Sequence, residues 1–346
     1  MRCHYLHFIT KPYSFSVIQA LTDEINRNNW GKSLIFLPDE LQRLYQFKTP
    51  ITSSLAAAVD FQPDAVFVPG NIVHDRIPGL KVQVFHGLCE EKGGHYKISG
   101  FFDLYCTSGP LITRKFEMLA EKHRHFQVAE TGWPKVDLLL KPYERDDVFR
   151  KIGLQTNKKI ILYAPTFSPK FKSSDKLFPL LPAVIRENET WIIKFHDLMD
   201  KKDKLRFKQL ESDSIRVWEH SDNIPLLQAA DVLISDTSSI VYEFMLLDKP
   251  VITIDAGVRL EKGINIGNID QLRNAVDRSI ADPKEFSRNR QRVLREIQPY
   301  TDHANAVRVL KATEAILSSS IHAILKRKPL NLFRKYKVRK MFNYWG

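Results

Sequence analysis

The stretch DVLISDTSSIVYEF, residues 231–244, passes from an apolar run through four hydroxyl and carboxylate side chains into a second apolar run. Val232 to Ser235 carry no charge, which predicts a strand buried on both faces, as parallel sheets require. From Ser239 to Leu247 the apolar positions Ile240, Phe244 and Leu247 recur at helical spacing. Asp236, Thr237 and Ser238 sit where a helix leaves its first N–H groups open, so the plainest reading is an N-cap. Four such residues exceed what one cap uses. A strand end running into a helix start is also a positively polarised place, suited to a diphosphate held through Asp236, Thr237, Ser238 and Ser239. Glu243 follows Ser239 by one helical turn and is placed to accept hydrogen bonds from ribose hydroxyls.

The same alternation extends in both directions. YLHFI, KSLIFL, AVFVP, VQVFHG, DLYCTSG and FQVAETG form one series of short apolar strands, and KIILYAP, TWIIKFH, IRVWE, DVLIS and PVITID form a second, with helical segments between them. Strands that are apolar throughout, each followed by a helix, predict α/β architecture with parallel sheets covered on both faces. Two series predict two doubly wound, Rossmann-like domains, residues 1–141 and 142–301, joined near Pro142. Residues 302–320 read as a terminal helix, and 302–346 as a separate terminal element. Because ligands of open parallel sheets sit beyond the carboxyl ends of the strands, the chemistry is expected in a cleft between the two domains.

The chain has 346 residues, 43% of them hydrophobic, enough for two cores. Its apolar runs are far shorter than the ~20 residues that span a bilayer, and MRCHYLHFITKP lacks the apolar centre of a signal peptide. Three cysteines without a C-x-x-C pair fit neither a disulfide framework nor a zinc ribbon and point to the cytoplasm. The net charge is +12, but residues 322–346 contain eight Lys and Arg and no acid, so removing these eight leaves +4 for the rest. In that tail the cations alternate with Leu330, Leu332, Phe333, Tyr336, Met341, Phe342 and Trp345. Such a pattern suits an anionic membrane surface. The alternative is a basic tail whose aromatic side chains pack on the protein body. Nucleic-acid binding is not expected, because no recognised binding motif accompanies the charge.

Four further motifs fall just past predicted strands. His86 and Gly87 end a strand of the first domain, and imidazole is well matched to taking a proton from an alcohol near neutral pH. Gly87, Gly93 and Gly94 give the following loop freedom to approach a ligand, and Lys92 and Lys97 offer positive charge; Cys89 has too few partners for a metal pair. Lys194 and His196 alternate with Phe195 at a strand end and project to one side, as a phosphate clamp would. Pro165 and Thr166 leave the first strand of the second domain into a ligand-facing loop. Lys135 and Asp137, in TGWPKVD, line the cleft or cap the helix after Pro134.

HG at 86–87, GWPKVD at 132–137, YAPT at 163–166, KFH at 194–196 and DVLISDTSSI with LDKPVI resemble, in the same order, the CDP-glycerol glycerophosphotransferase family of teichoic acid synthesis. That family is similar in fold to GT-B glycosyltransferases. The resemblance implies transfer of a polyol phosphate from a CDP-linked donor to an acceptor hydroxyl of a glycan or lipid-linked precursor, at the inner face of the membrane. It implies His86 as the base, His196 and Lys194 as stabilisers of the donor phosphates, Thr237, Ser238 and Ser239 as the diphosphate grip, and Glu243 as the acid near ribose. This sequence departs from the family pattern at Leu88 and Cys89, at Asp197, at Ser168 and at Thr237, where the family often has Thr-Pro, Pro, Arg and Tyr.

In this reading the acceptor alcohol, deprotonated by His86, attacks the donor's β-phosphate and CMP leaves. No D-x-D motif is present, so no metal and no cofactor beyond the donor is expected. A glycosyltransferase or nucleotide-sugar epimerase could use the same pocket, and a membrane-bound scaffold could retain the fold without the chemistry. A serine hydrolase is disfavoured by the missing G-x-S-x-G elbow.

Overall fold

The computed structural model describes residues 3–88, 93–154, 157–319 and 325–346. Two compact units emerge, Met1–Leu138 with Glu296–Gly346, and Leu139–Arg295.

The first unit is built on seven strands: β1 (Cys3–Phe8), β2 (Gly31–Phe36), β3 (Ile51–Thr52), β4 (Ala65–Val68), β5 (Leu80–Gln83), β6 (Leu104–Thr107) and β7 (Gln127–Glu130). All pair in parallel, in the order β3-β2-β1-β4-β5-β6-β7. Every residue of β4, β5 and β6 is buried, as in strands covered on both faces; β5 nonetheless alternates, and its buried Lys81 and Gln83 donate to backbone carbonyls. One core cluster contains Leu6, Phe8, Phe36, Val66, Phe102, Tyr105 and Phe116. The strand order reverses between β1 and β4, so the loops leaving these two strands flank the crevice where such sheets bind ligands.

The second unit contains β8 (Lys159–Ala164), β9 (Glu189–Ile193), β10 (Ile215–Val217), β11 (Val232–Ser235), β12 (Val251–Ile254) and β13 (Ile264–Ile266). These too are parallel, in the order β10-β9-β8-β11-β12-β13, and the reversal falls between β8 and β11. Its core gathers Ile161, Tyr163, Trp191, Ile193, Phe207, Ile234 and Ile252. The helix after β11 runs only from Ile240 to Met245, shorter than the Ser239–Leu247 span that the spacing predicts. Leu247 and Asp248 instead close turns on Phe244 and Met245, and Asp248 takes a left-handed conformation (φ 50°).

The motif GWPKVD proves to be where the chain's later part rejoins the first unit. Asp137 accepts from the backbone N–H of Asn305 (3.1 Å) and of Ala306 (2.8 Å), so it caps the helix Asn305–Leu317, 168 residues further along the chain. Gly132 has φ +76°, and a Cβ there would lie 1.7 Å from Asn305 Oδ1, so no other residue fits. Trp133 is buried, with its N–H donating to Gln298 Oε1 (2.9 Å) and its indole Nε1 to Phe85 O (3.3 Å).

Residues beyond 301, expected as a separate terminal element, are therefore part of the first unit. Helix Leu332–Phe342 lies on that unit by one face. Val338 is buried, Phe342 packs edge-on against Phe8 (5.6 Å) and Phe36 (5.8 Å), and Arg339 pairs with Asp75. Its other face leaves Leu332, Phe333, Tyr336 and Met341 exposed, and Lys337 sits 4.3 Å over the Phe333 ring. The expectation that aromatic side chains of the tail pack on the protein body holds for Phe342 and not for the exposed Phe333 and Tyr336. Among the described residues no helix is long and apolar enough to cross a membrane.

Candidate active site

In the second unit, the strands on either side of the switch point deliver Thr166 (after β8) and Asp236 (after β11). The backbone N–H of Thr166 donates to Asp236 Oδ1 (2.7 Å), and the N–H and Oγ of Ser173 donate to Oδ2 (both 3.0 Å). Tyr163 OH meets the same Ser173 Oγ at 2.9 Å, and Ser235 Oγ donates to Ala164 O at 2.6 Å. Asp236 is thus a buried carboxylate that accepts three hydrogen bonds from the 166–173 loop. Bonds to an ionised acceptor are worth about 1.5–3 kcal/mol each, more than a helix cap offers. The expectation that Asp236 caps the helix is corrected accordingly: it fastens the 166–173 loop to the end of β11. Burial, reinforced by this carboxylate, pushes the Tyr163 phenol well above its ordinary value.

Ser239 occupies the N-cap position with helical angles and makes no side-chain cap bond. The Ser238 N–H turns back to Asp236 O (3.0 Å), so the diphosphate grip read from the sequence retains one amide fewer than expected. Thr237, Ser238 and Ser239 are half-buried on the turn itself. Glu243 is buried, and Asn223 Nδ2 donates to its Oε2 at 3.5 Å, which ties the helix to the chain leaving β10.

His196 follows β9. Its Nδ1 accepts from the backbone N–H of Leu198 (3.1 Å), which in the neutral ring puts the proton on Nε2. Phe167, next to Thr166, lies over that ring with centroids 4.5 Å apart. Lys194 Nζ donates to Phe195 O (3.0 Å) and stands 3.8 Å from Asp197. The aspartate that replaces the family's proline therefore offsets part of the charge that Lys194 offers.

In the first unit, His86 follows β5 and is half-buried. Phe85 before it has φ +52°, a left-handed conformation costly for a side chain of that size, and such outliers concentrate at functional sites. The turn re-aims the chain so that His86 Nδ1 faces Pro69 O at 3.3 Å. A carbonyl only accepts, so Nδ1 carries the proton of the neutral ring and Nε2 carries the lone pair. Tyr13 and His95 flank the imidazole at 4.7 and 5.3 Å between ring centroids. Cys89 and Lys92 lie outside the described residues, and Gly93 and Gly94 begin a short 3-10 turn, Gly93–Tyr96. Cys106, close by in β6, is buried, and burial pushes its thiol well up, away from nucleophilic use. No group of three or more metal-ligating side chains occurs among the described residues.

Thr166, Asp236 and His196 with its Phe167 partner are therefore brought to one end of the second sheet, and His86 to the same kind of end in the first. Tyr13, Gln83, His95, Phe167, Ser173 and Asn223 escaped the sequence reading. They belong to no local pattern; only the positions of Tyr13, Phe167 and Asn223, just past strand ends, could have flagged them.

Two doubly wound parallel sheets with ligand-side residues at both switch points define a GT-B-like α/β protein. A family model described as CDP-Glycerol:Poly(glycerophosphate) glycerophosphotransferase matches residues 95–258, which takes in Thr166, Lys194, His196 and 236–243 but begins after His86. Over those residues, a little under half of its length, the chain resembles the CDP-glycerol glycerophosphotransferase family. It is 36% identical over 128 residues to the teichoic acid glycerol-phosphate primase of Bacillus spizizenii, covering 35% of this chain and 32% of the primase. With the teichoic acid poly(glycerol phosphate) polymerase of the same organism it shares 28% over 135 residues, 36% of this chain and 34% of the polymerase. The match thus spans about a third of the length of these relatives. Among solved structures, the wall teichoic acid polymerase TagF superposes with TM-score 0.70 at 13% identity, covering 91% of this chain and 89% of that one. The S. aureus MnaA–UDP co-structure gives 0.62 at 14%, with 94% and 99% covered. At these identities the superpositions speak for the fold alone.

Proposed function

We propose that the chain is a transferase that moves a polyol phosphate, glycerol phosphate or similar, from a CDP-linked donor to an acceptor hydroxyl of a cell-surface glycan or its lipid-linked precursor. The observation that carries this reading is the hydroxyl-rich turn 237–239 at the second unit's switch point, inside the family match, with a proton-bearing His196 Nε2 at the same sheet end. Thr237, Ser238 and Ser239 hold the diphosphate, Lys194 and His196 meet its growing negative charge, and Thr166 and Asp236 keep the loop in place. Glu243 is assigned to the ribose. His86 Nε2 takes the acceptor's proton as the acceptor oxygen bonds to the β-phosphorus; the bond from that phosphorus to the bridging oxygen breaks, and CMP leaves with the electron pair. The donor is the only small molecule required; no cofactor or metal is given a part.

The test is to incubate the purified chain with CDP-glycerol or CDP-ribitol and a polyol-phosphate-primed acceptor, then weigh both products. CMP together with an acceptor heavier by one polyol phosphate is expected. Release of CDP, or turnover only with a nucleotide sugar, would replace this reading with glycosyl transfer.

We also assign the exposed face of helix Leu332–Phe342 to the anionic inner surface of the cell membrane. Leu332, Phe333, Tyr336 and Met341 offer apolar insertion, and Lys337 and Lys340 add about 1 kcal/mol each beside anionic lipid. Vesicles containing phosphatidylglycerol are expected to sediment the protein, and Phe333→Asp with Met341→Asp to release it. Equal binding of wild type and variant would remove this face from the interaction.

A further inference from the structure

The loop from Pro69 to Pro78 leaves β4 at the switch point of the first unit and is held from two sides. From the sheet, Gln83 Nε2 donates to Pro69 O (3.2 Å) and Gly70 O (2.8 Å). Gln83 is fully buried, and its Oε1 has no hydrogen-bond partner among the described residues. Leaving a buried acceptor unmet costs about 1–3 kcal/mol. Flipping the amide would set Oε1 against two carbonyl oxygens, so the orientation follows from the network.

From the other side, the last helix and Tyr344 just past it grip the same loop at three places. Arg334 Nη2 donates to Asn71 O (2.6 Å), Arg339 Nε donates to Asp75 Oδ1 (3.1 Å) with Nη2 on Oδ2, and Tyr344 O accepts from His74 Nε2 (3.1 Å). His74 Nδ1 accepts from the N–H of Arg76 (3.3 Å), so the proton belongs on Nε2. Burial lowers the pKa of His74, in keeping with a neutral ring. Between the two grips, Pro69 O accepts from Gln83 and faces His86 Nδ1. A carbonyl has two lone pairs, so it can serve both.

We propose that Gln83 and Arg339 are positioning residues for His86, acting from opposite sides of the 69–78 loop to place the Pro69 carbonyl that fixes the imidazole's tautomer and direction. The helix that presents an apolar face outward is thereby coupled to the imidazole through this loop. The proposal rests on His86 being the proton acceptor, and its primary readout does not need that assignment.

With 15N-histidine-labelled full-length protein, long-range 1H–15N correlation spectra report the tautomer of each of the 11 histidines, and loss of a signal in His86→Gln identifies His86. The wild type is expected to show the Nδ1–H form. In Gln83→Leu and in Arg339→Gln the nitrogen shifts should move toward an average of the two tautomers. Turnover should fall roughly tenfold to a hundredfold, as expected for a displaced catalytic group, with the donor KM unchanged. The charge exchange Asp75→Arg with Arg339→Asp should restore both. Arg339 is partly exposed, so its variant keeps the test available if Gln83→Leu fails to fold. Unchanged His86 shifts in the folded single variants overturn the proposal, as does a KM effect without a change in tautomer. Activity surviving His86→Ala would instead remove His86 from the chemistry, and the spectra would still decide the positioning.

Discussion

His86→Ala is expected to lower turnover with a CDP-polyol donor by roughly a hundredfold to ten-thousandfold, the usual worth of a positioned general base. Donor affinity should change little, because the donor-holding residues are assigned to the second unit and the substitution lies in the first. The magnitude follows from the ring's fixed polarity: Pro69 O faces Nδ1, which leaves the lone pair on Nε2. Alanine removes the acceptor of the proton without removing the Phe85 turn that delivers position 86. The measurement is single-turnover release of CMP at saturating donor. Added imidazole should recover part of the loss. His86→Ala turning over at the wild-type rate would locate the base elsewhere, with Tyr13 and His95, which flank the ring, as the next positions to substitute.

A large effect on stability is expected at His7. This imidazole is fully buried near the end of β1, stacked on Phe67 (5.4 Å), with Nε2 3.3 Å from Ser33 Oγ and Nδ1 without a hydrogen-bond partner among the described residues. Burial pulls its pKa from 6.5 down to about 3. The sign follows directly. Between these values the unfolded chain binds a proton that the folded chain refuses, so protons favour unfolding. The stability associated with neutral His7 is fully present above pH 6.5 and is lost as pH falls toward 3. The slope is about 1.4 kcal/mol per pH unit, amounting to several kcal/mol, a large part of what a typical domain has. In urea unfolding of the first unit, His7→Leu should flatten the decline between pH 6 and pH 4, whatever its effect at pH 7. Parallel pH profiles for wild type and variant would show that His7 is solvated or paired in the folded state.

How much of this was legible beforehand differs from residue to residue. The strand Val232–Ser235, the turn after it and the parallel character of both sheets followed from uninterrupted apolar runs, because burial on both faces leaves no room for alternation. His86, His196 and Thr166 were visible as polar residues just past such runs. Asp236 was read as a cap because Asp before a helix usually is one. In the fold its carboxylate faces the N–H groups of residues 63 and 70 positions away, and those win. Asp137 in GWPKVD was read as lining the cleft or capping the helix after Pro134; it caps a helix that begins at Asn305 instead. Gln83 carried no signal at all, since its partners are the carbonyls of another strand's exit loop.

The sequence by itself determined where strands and helices form, that the sheets are parallel, and which strand ends carry hydroxyls and imidazoles, since these depend on near neighbours and on average burial. Only the tertiary structure decided which partner each polar side chain takes, which tautomer His86 and His196 adopt, and that the basic tail lies on the first unit by one face with the other open. A hydrogen bond goes to whichever donor or acceptor the fold brings within about 3 Å. For Asp236, Asp137, Gln83 and Arg339 that partner comes from a distant part of the chain, and no local pattern encodes it.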